Sequence, residues 1–166
     1  MRTAVLWACV LAALLAQSAL TALELRGASA VPAPDLWAAC VAGIALQARR
    51  TTLALDLLWM ALARSALTLE PLPVVILVGL GGGLVLASVR DALFRTNARV
   101  RAGAAAGIAV LLAVSAGMAV GMPPGSAAWR CLGTAAMTAL AAPLWVAFMV
   151  RLPALDLEED RWIVAA

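Results

Sequence analysis

The chain has 166 residues, 65% hydrophobic and 13% charged, with a mean hydropathy of +1.01, a balance that excludes a water-soluble globular domain and makes the lipid bilayer its first partner. Its net charge of +3 and pI of 9.3 come from arginines lying between apolar blocks, where the cytoplasmic loops of polytopic proteins carry them. The basic balance therefore reports topology, and no nucleic-acid partner is expected.

The first apolar block, 3–22, follows Arg2 and contains Ala16-Gln17-Ser18-Ala19, a small-residue stretch similar to a signal-peptide cleavage site. Its apolar core is longer than a typical secretory h-region, so a retained helix is expected. A polar connection with Pro32 and Pro34 leads to a second block, 33–48, which is short for a spanning helix of about 20 residues and ends at Arg49-Arg50. The third block, 51–69, is broken by Asp56 and Arg64, and Glu70-Pro71-Leu72-Pro73 forms a turn into the fourth, 72–94. The fifth, 102–122, and the sixth, 127–150, flank a Pro-Pro-Gly turn.

These blocks predict an all-α, polytopic integral membrane protein of about six transmembrane helices over residues 1–153, with a cytoplasmic tail over 154–166 carrying Asp156, Glu158, Glu159 and Asp160. Six spans with both termini in the cytosol put Arg2, Arg49, Arg50, Arg90, Arg95, Arg99, Arg101, Arg151 and Arg161 inside and leave mainly Arg26 and Arg130 outside. Five spans without the second block break that asymmetry. Trp37 and Trp129 fall near predicted outer ends and Trp7 near an inner end, as interfacial indoles do, whereas Trp59 fits this pattern poorly.

Small residues four apart, at Gly79 and Gly83, Gly103 and Gly107, and Gly117 and Gly121, predict helical faces that a neighbouring backbone approaches closely, within the chain or on a partner. Ala4, Ala8, Ala12 and Ala16 make a similar ridge. Asp56 and Arg64 need an account, because an ionisable group at mid-bilayer costs about 2.5–3.5 kcal/mol. Eight residues place them about 80° apart around one helix, so partners on other helices are expected, for example Arg90 for Asp56.

The chain has no histidine, and Cys9, Cys40 and Cys131 stand far apart without metal-ligand spacing, as small buried hydrophobes do. No nucleophile and base set is present, and the glycine run 79–83 lacks the lysine and preceding strand of a phosphate loop. Asp56 and Asp91 are the carboxylates an intramembrane metalloenzyme would use. The expectation is no enzyme, no cofactor and no metal.

Gln17-Ser18 late in the first block, Pro34-Asp35-Leu36 opening the second, Arg49-Arg50, Pro71-Leu72-Pro73, and Thr138-Ala139 with Ala142-Pro143-Leu144 before Arg151-Leu152 follow one another in an order that resembles the rod shape-determining MreD family. The chain departs from the family pattern at Pro73, where a glycine is usual, and in the third block, where Ala61, Arg64 and Ser65 replace glycines and an acidic residue. The resemblance implies a non-enzymatic scaffold of the bacterial inner membrane that docks an MreC-like bitopic partner and supports the glycosyltransferase and transpeptidase of lateral peptidoglycan synthesis. It also implies a fold resembling that of the substrate-binding S components of energy-coupling factor vitamin transporters. Such a component is the alternative, and it should bring several hydrogen-bonding side chains together. Gln17, Asp35, Asp56, Arg64, Arg90, Gly103, Gly107, Gly117, Gly121 and Pro143 are the candidate packing and partner residues.

Overall fold

A computed structural model describes residues 2–25, 32–47, 50–68, 70–90, 97–121 and 123–152. Arg26, Arg49, Asp91, Arg95, the acidic tail and Arg161 lie outside the described residues. The described chain is helical throughout, with no strand: α1 (Arg2–Leu25), α2 (Leu36–Gln47), α3 (Arg50–Leu67), α4 (Leu72–Val89), α5 (Ala98–Val120) and α6 (Pro124–Val150). Four of these helices, α1, α4, α5 and α6, are long and apolar enough to cross a membrane. α3 has the length but carries Arg50, Asp56 and Arg64.

α2 is different. Its 12 residues extend about 18 Å, short of the roughly 30 Å hydrocarbon core. Every one of them is buried, and the helix packs against α1, α3, α4, α5 and α6. A helix apolar on all sides has no wet face and belongs in an interior, so α2 is the axis around which the others stand. Trp37, expected at an interface, is instead completely buried, because the helix that carries it is central.

The surrounding helices are apolar on both sides, with large side chains in the core and on the exterior alike. α1 contributes Leu6, Val10, Ala13 and Leu14 to the core, while Ala4, Ala8 and Ala12 of its alanine ridge face outward. Leu77, Met118 and Leu144 are 73%, 79% and 77% exposed, a surface that lipid covers and water does not tolerate. Trp59 finds its partner in Trp7, with ring centroids 5.9 Å apart and planes tilted by 57°.

α4 contains one π turn, Leu77–Gly81, between α-helical stretches. The turn and the glycine pair that straddles its end sit where the helix meets its neighbours most tightly: a β-carbon on Gly79 would stand 2.6 Å from Trp37 Cη2, and one on Gly83 2.7 Å from Leu57 Cδ1. These are close backbone approaches of the kind the spacing predicts. α5 opens on Asn97, whose side chain accepts from the Arg99 amide at 2.9 Å, and closes on Gly121 at φ 67°. Gly121 therefore ends the helix as a left-handed cap and does not share a helical face with Gly117.

Candidate functional site

Polar residues from distant parts of the sequence meet at the end of the bundle where α2 begins. Asp35 is the N-cap of α2, its Oδ1 accepting from the Ala38 amide at 2.9 Å, which satisfies one of the unpaired donors of the first turn. Its own amide donates to Thr138 Oγ1 at 2.8 Å, a bond spanning 103 residues. The Thr138 hydroxyl donates in turn to the Thr134 carbonyl at 2.6 Å, so the start of α2 is tied to the middle of α6.

Arg64, near the end of α3, reaches two carboxylates at once. Nη1 donates to Asp35 Oδ1 and Oδ2 at 2.8 and 2.9 Å. Nε and Nη2 donate to Glu70 Oε2 and Oε1 at 2.6 and 2.8 Å, a two-pronged fork. The guanidinium lies 4.8 Å from the centroid of the Trp37 ring, within cation–π range. That ring is held in turn by Nε1 donating to the Met60 carbonyl at 2.9 Å. Thr68 closes α3 over the same place, its amide and hydroxyl both donating to the Arg64 carbonyl at 2.8 and 2.9 Å.

The Arg64 side chain is only 3% exposed, whereas Glu70 is 24% exposed. A guanidinium so deeply buried is tolerable because both flanking groups are anionic and well placed. Two carboxylates on one guanidinium give the triad a formal charge of −1.

A cavity of about 320 Å³ opens beside the triad. Its polar side is lined by Gln17 and Thr21 of α1, by Asp35, Arg64 and Glu70, and by Arg130 and Thr134 of α6. Its opposite wall is small and apolar, from Ala109 to Gly117 of α5. Gln17 Oε1 is buried without a hydrogen-bond partner.

Of the sequence candidates, Gln17, Asp35, Arg64 and Gly117 come together at this cavity. Asp56 and Arg90 do not. Both are buried where α3 begins and α4 ends, and each engages a partner. Among the described residues, Gly103 and Gly107 meet no atom within 4 Å of an added β-carbon and face out of the bundle. A β-carbon placed on Gly117 would stand 3.7 Å from Ala127 Cβ. Pro143 sits within α6, where it lacks the amide that would serve the carbonyl of Ala139. Beside it Trp145 Nε1 donates to Cys40 Sγ at 2.9 Å, and Val146 Cγ2 stands 3.0 Å from a β-carbon placed on Gly43, so α6 stays pressed onto α2.

Glu70, Thr138 and Trp37 complete the site; Thr138 falls in a stretch that carries the family resemblance, whereas Glu70 reads as part of a turn and Trp37 as an interfacial indole. The signal that could find them is positional: Asp35, Arg64 and Glu70 all fall near the same predicted end of their blocks.

Two leucines on the open face of α5 provide a direct check. Gly107→Leu and Gly103→Leu are expected to leave the thermal unfolding midpoint of the isolated protein unchanged or to raise it, since leaving glycine gains up to about 1 kcal/mol of helix propensity at each position. A large drop in that midpoint would place this face inside the bundle.

Comparison with known proteins finds no family model, no curated sequence and no solved structure that matches this chain.

Proposed function

We propose that the chain is a non-enzymatic membrane scaffold of the MreD kind, serving a bacterial cell-elongation complex by docking transmembrane helices of other proteins. The observation that carries this reading is the direction of its small-residue faces. Ala4, Ala8 and Ala12 on α1 and Gly103 and Gly107 on α5 point out of the bundle formed by the described residues, an exposure that allows a foreign helix to come close. In lipid such association runs on van der Waals contact and a few interhelical hydrogen bonds, and small residues are what permit it.

The residues behind the family resemblance support the same reading. Gln17, Asp35 and Thr138 are far apart in sequence, yet Gln17 and Asp35 line one cavity and Asp35 is bonded to Thr138. In this reading the triad holds the bundle in one shape, and the outward faces present it to an MreC-like bitopic partner in the inner membrane. With both termini in the cytosol, the Asp35 end lies on the outer side, beside that partner's periplasmic part and the glycosyltransferase and transpeptidase it serves.

Purification from mild detergent is the test. A bitopic protein with a periplasmic domain is expected to co-purify, and Gly103→Leu with Gly107→Leu is expected to release it while the protein itself stays folded. Recovery of ATPase subunits and no bitopic partner would overturn the scaffold in favour of an S component of an energy-coupling factor transporter, the reading that the polar side chains converging on the cavity favour.

A further inference from the structure

We infer that the cavity beside the triad binds a small molecule through a primary nitrogen, –NH3+ or –CONH2, which donates its N–H groups to Gln17 and Glu70. The starting point is an acceptor with nothing to accept. Gln17 Oε1 is buried on the cavity lining and has no hydrogen-bond partner, an arrangement that is unfavourable until a donor reaches it.

The donors around it are committed elsewhere. Thr21 Oγ1, one turn along α1, donates to the Gln17 backbone carbonyl at 3.0 Å. The four hydrogen bonds of the Arg64 side chain run to Asp35 and Glu70, and Arg130 engages a partner of its own.

Glu70 supplies the second acceptor. Each of its oxygens takes one bond from Arg64, and a carboxylate oxygen accepts two. Its side chain is 24% exposed and lines the cavity, so its unused lone pairs are open to a ligand there. A hydroxyl brings one donor, whereas a primary carboxamide brings two and an ammonium three. Donor number, and not net charge, is therefore what this lining selects.

The volume, about 320 Å³, falls at the lower end of the roughly 300–1,000 Å³ range of small-molecule sites. Ala109, Leu112, Ala113 and Ala116 of α5 line the cavity without a polar side chain, a wall suited to a short carbon skeleton.

Helix docking uses the outer faces of α1 and α5, whereas this site lies within the end of the bundle, so release of a bitopic partner and loss of ligand binding are separate results. The test uses the full chain in detergent, with probes paired by their N–H donors. Ethanolamine is compared with choline, two cations, and acetamide with N,N-dimethylacetamide, two neutral amides. In each pair the second member has lost its N–H groups to methylation, and the cavity is large enough for all four. In nanodiscs, dioleoylphosphatidylethanolamine against dioleoylphosphatidylcholine asks the same of a lipid headgroup. Binding is read by titration calorimetry and by the shift of the thermal unfolding midpoint.

An N–H probe is expected to bind and to raise the midpoint, and its methylated counterpart to bind at least about tenfold more weakly, the loss of one or more hydrogen bonds. The pair that shows the difference identifies the source as a free amine, a neutral amide or a lipid. Gln17→Leu is expected to weaken that binding about tenfold and to leave the ligand-free midpoint in place or raise it, because the oxygen it deletes has no partner to lose. Ala113→Leu, which fills part of the cavity, is expected to weaken binding as well. Equal binding within every pair, binding of no N–H probe, or a Gln17→Leu protein that binds like the parent overturns the proposal. So does a fall in the ligand-free midpoint of Gln17→Leu, which would show that Oε1 is already served.

Discussion

Arg64→Met is expected to destabilise the bundle by about 3–5 kcal/mol, the usual consequence of removing one partner from a buried ion pair. Methionine fills a similar volume, so lost packing is a small part of the effect. The greater part is electrostatic: Asp35 is 4% exposed and loses both bonds from Nη1, and Glu70 loses its fork. Two like charges then face each other with no cation between them. Arg64→Lys is expected to be intermediate, because an ammonium keeps the charge but lacks the planar fork that engages both carboxylates at once.

The decisive variant is the triple replacement Arg64→Met, Asp35→Asn and Glu70→Gln. It removes all three charges yet keeps the cap of α2, since asparagine is as good an N-cap as aspartate. Most of the lost stability is expected to return, as replacing a whole buried ionic cluster with neutral groups is often neutral. Thermal unfolding of the detergent-purified variants checks both statements. A single variant as stable as the parent would mean that the triad does not hold the helices together.

The second large effect is steric. Gly79→Leu is expected to prevent the bundle from closing, and Gly79→Ala to destabilise it by about 1–3 kcal/mol, the range for overpacking a well-filled core. The added β-carbon would lie 2.6 Å from Cη2 and 3.2 Å from Cζ2 of Trp37. The ring cannot swing aside. It is fully buried, its Nε1 is bonded to the Met60 carbonyl, and Arg64 is stacked on it. Gly82→Ala, three residues along the same helix, meets nothing within 4 Å and is expected to be neutral or to gain up to about 1 kcal/mol from helix propensity. Comparing unfolding midpoints of the two alanine variants separates contact from propensity, and equal midpoints would remove Trp37 from the account.

Much of the helical layout is legible in the chain because lipid demands long apolar stretches, and α1, α4, α5 and α6 supply them. Which face of each helix points inward is much harder to read. In water an amphipathic stripe marks the buried side, but in lipid both sides are apolar, so the alanine ridge of α1 and the glycines of α5 look like packing faces while standing outside. Gly79 and Gly83 share the spacing of Gly103 and Gly107, and only the neighbours decide that the first pair is covered and the second open. Trp37 departs from expectation for a related reason: the rule that sends indoles to the interface assumes a helix with lipid around it, and α2 has none. The triad is half legible. Arg64 and Asp56 stand out as charges in apolar blocks, and the 80° between them denies a mutual bond, but the choice of Asp35 and Glu70 depends on the order of helices in space. Glu70 reads as part of a proline turn, which it is, as well as the second anchor of the guanidinium.

The central place of α2 bears on how the chain is made. α2 emerges from the ribosome after α1 and ahead of α3 to α6, yet two of the walls that keep it from lipid, α5 and α6, are the last to be synthesised, and the Thr138 hydroxyl that fastens the Asp35 amide at its start arrives 103 residues later. Its shielding is thus a product of completed biogenesis. A nascent chain halted before α6 carries an apolar 12-residue segment that lacks one of its walls.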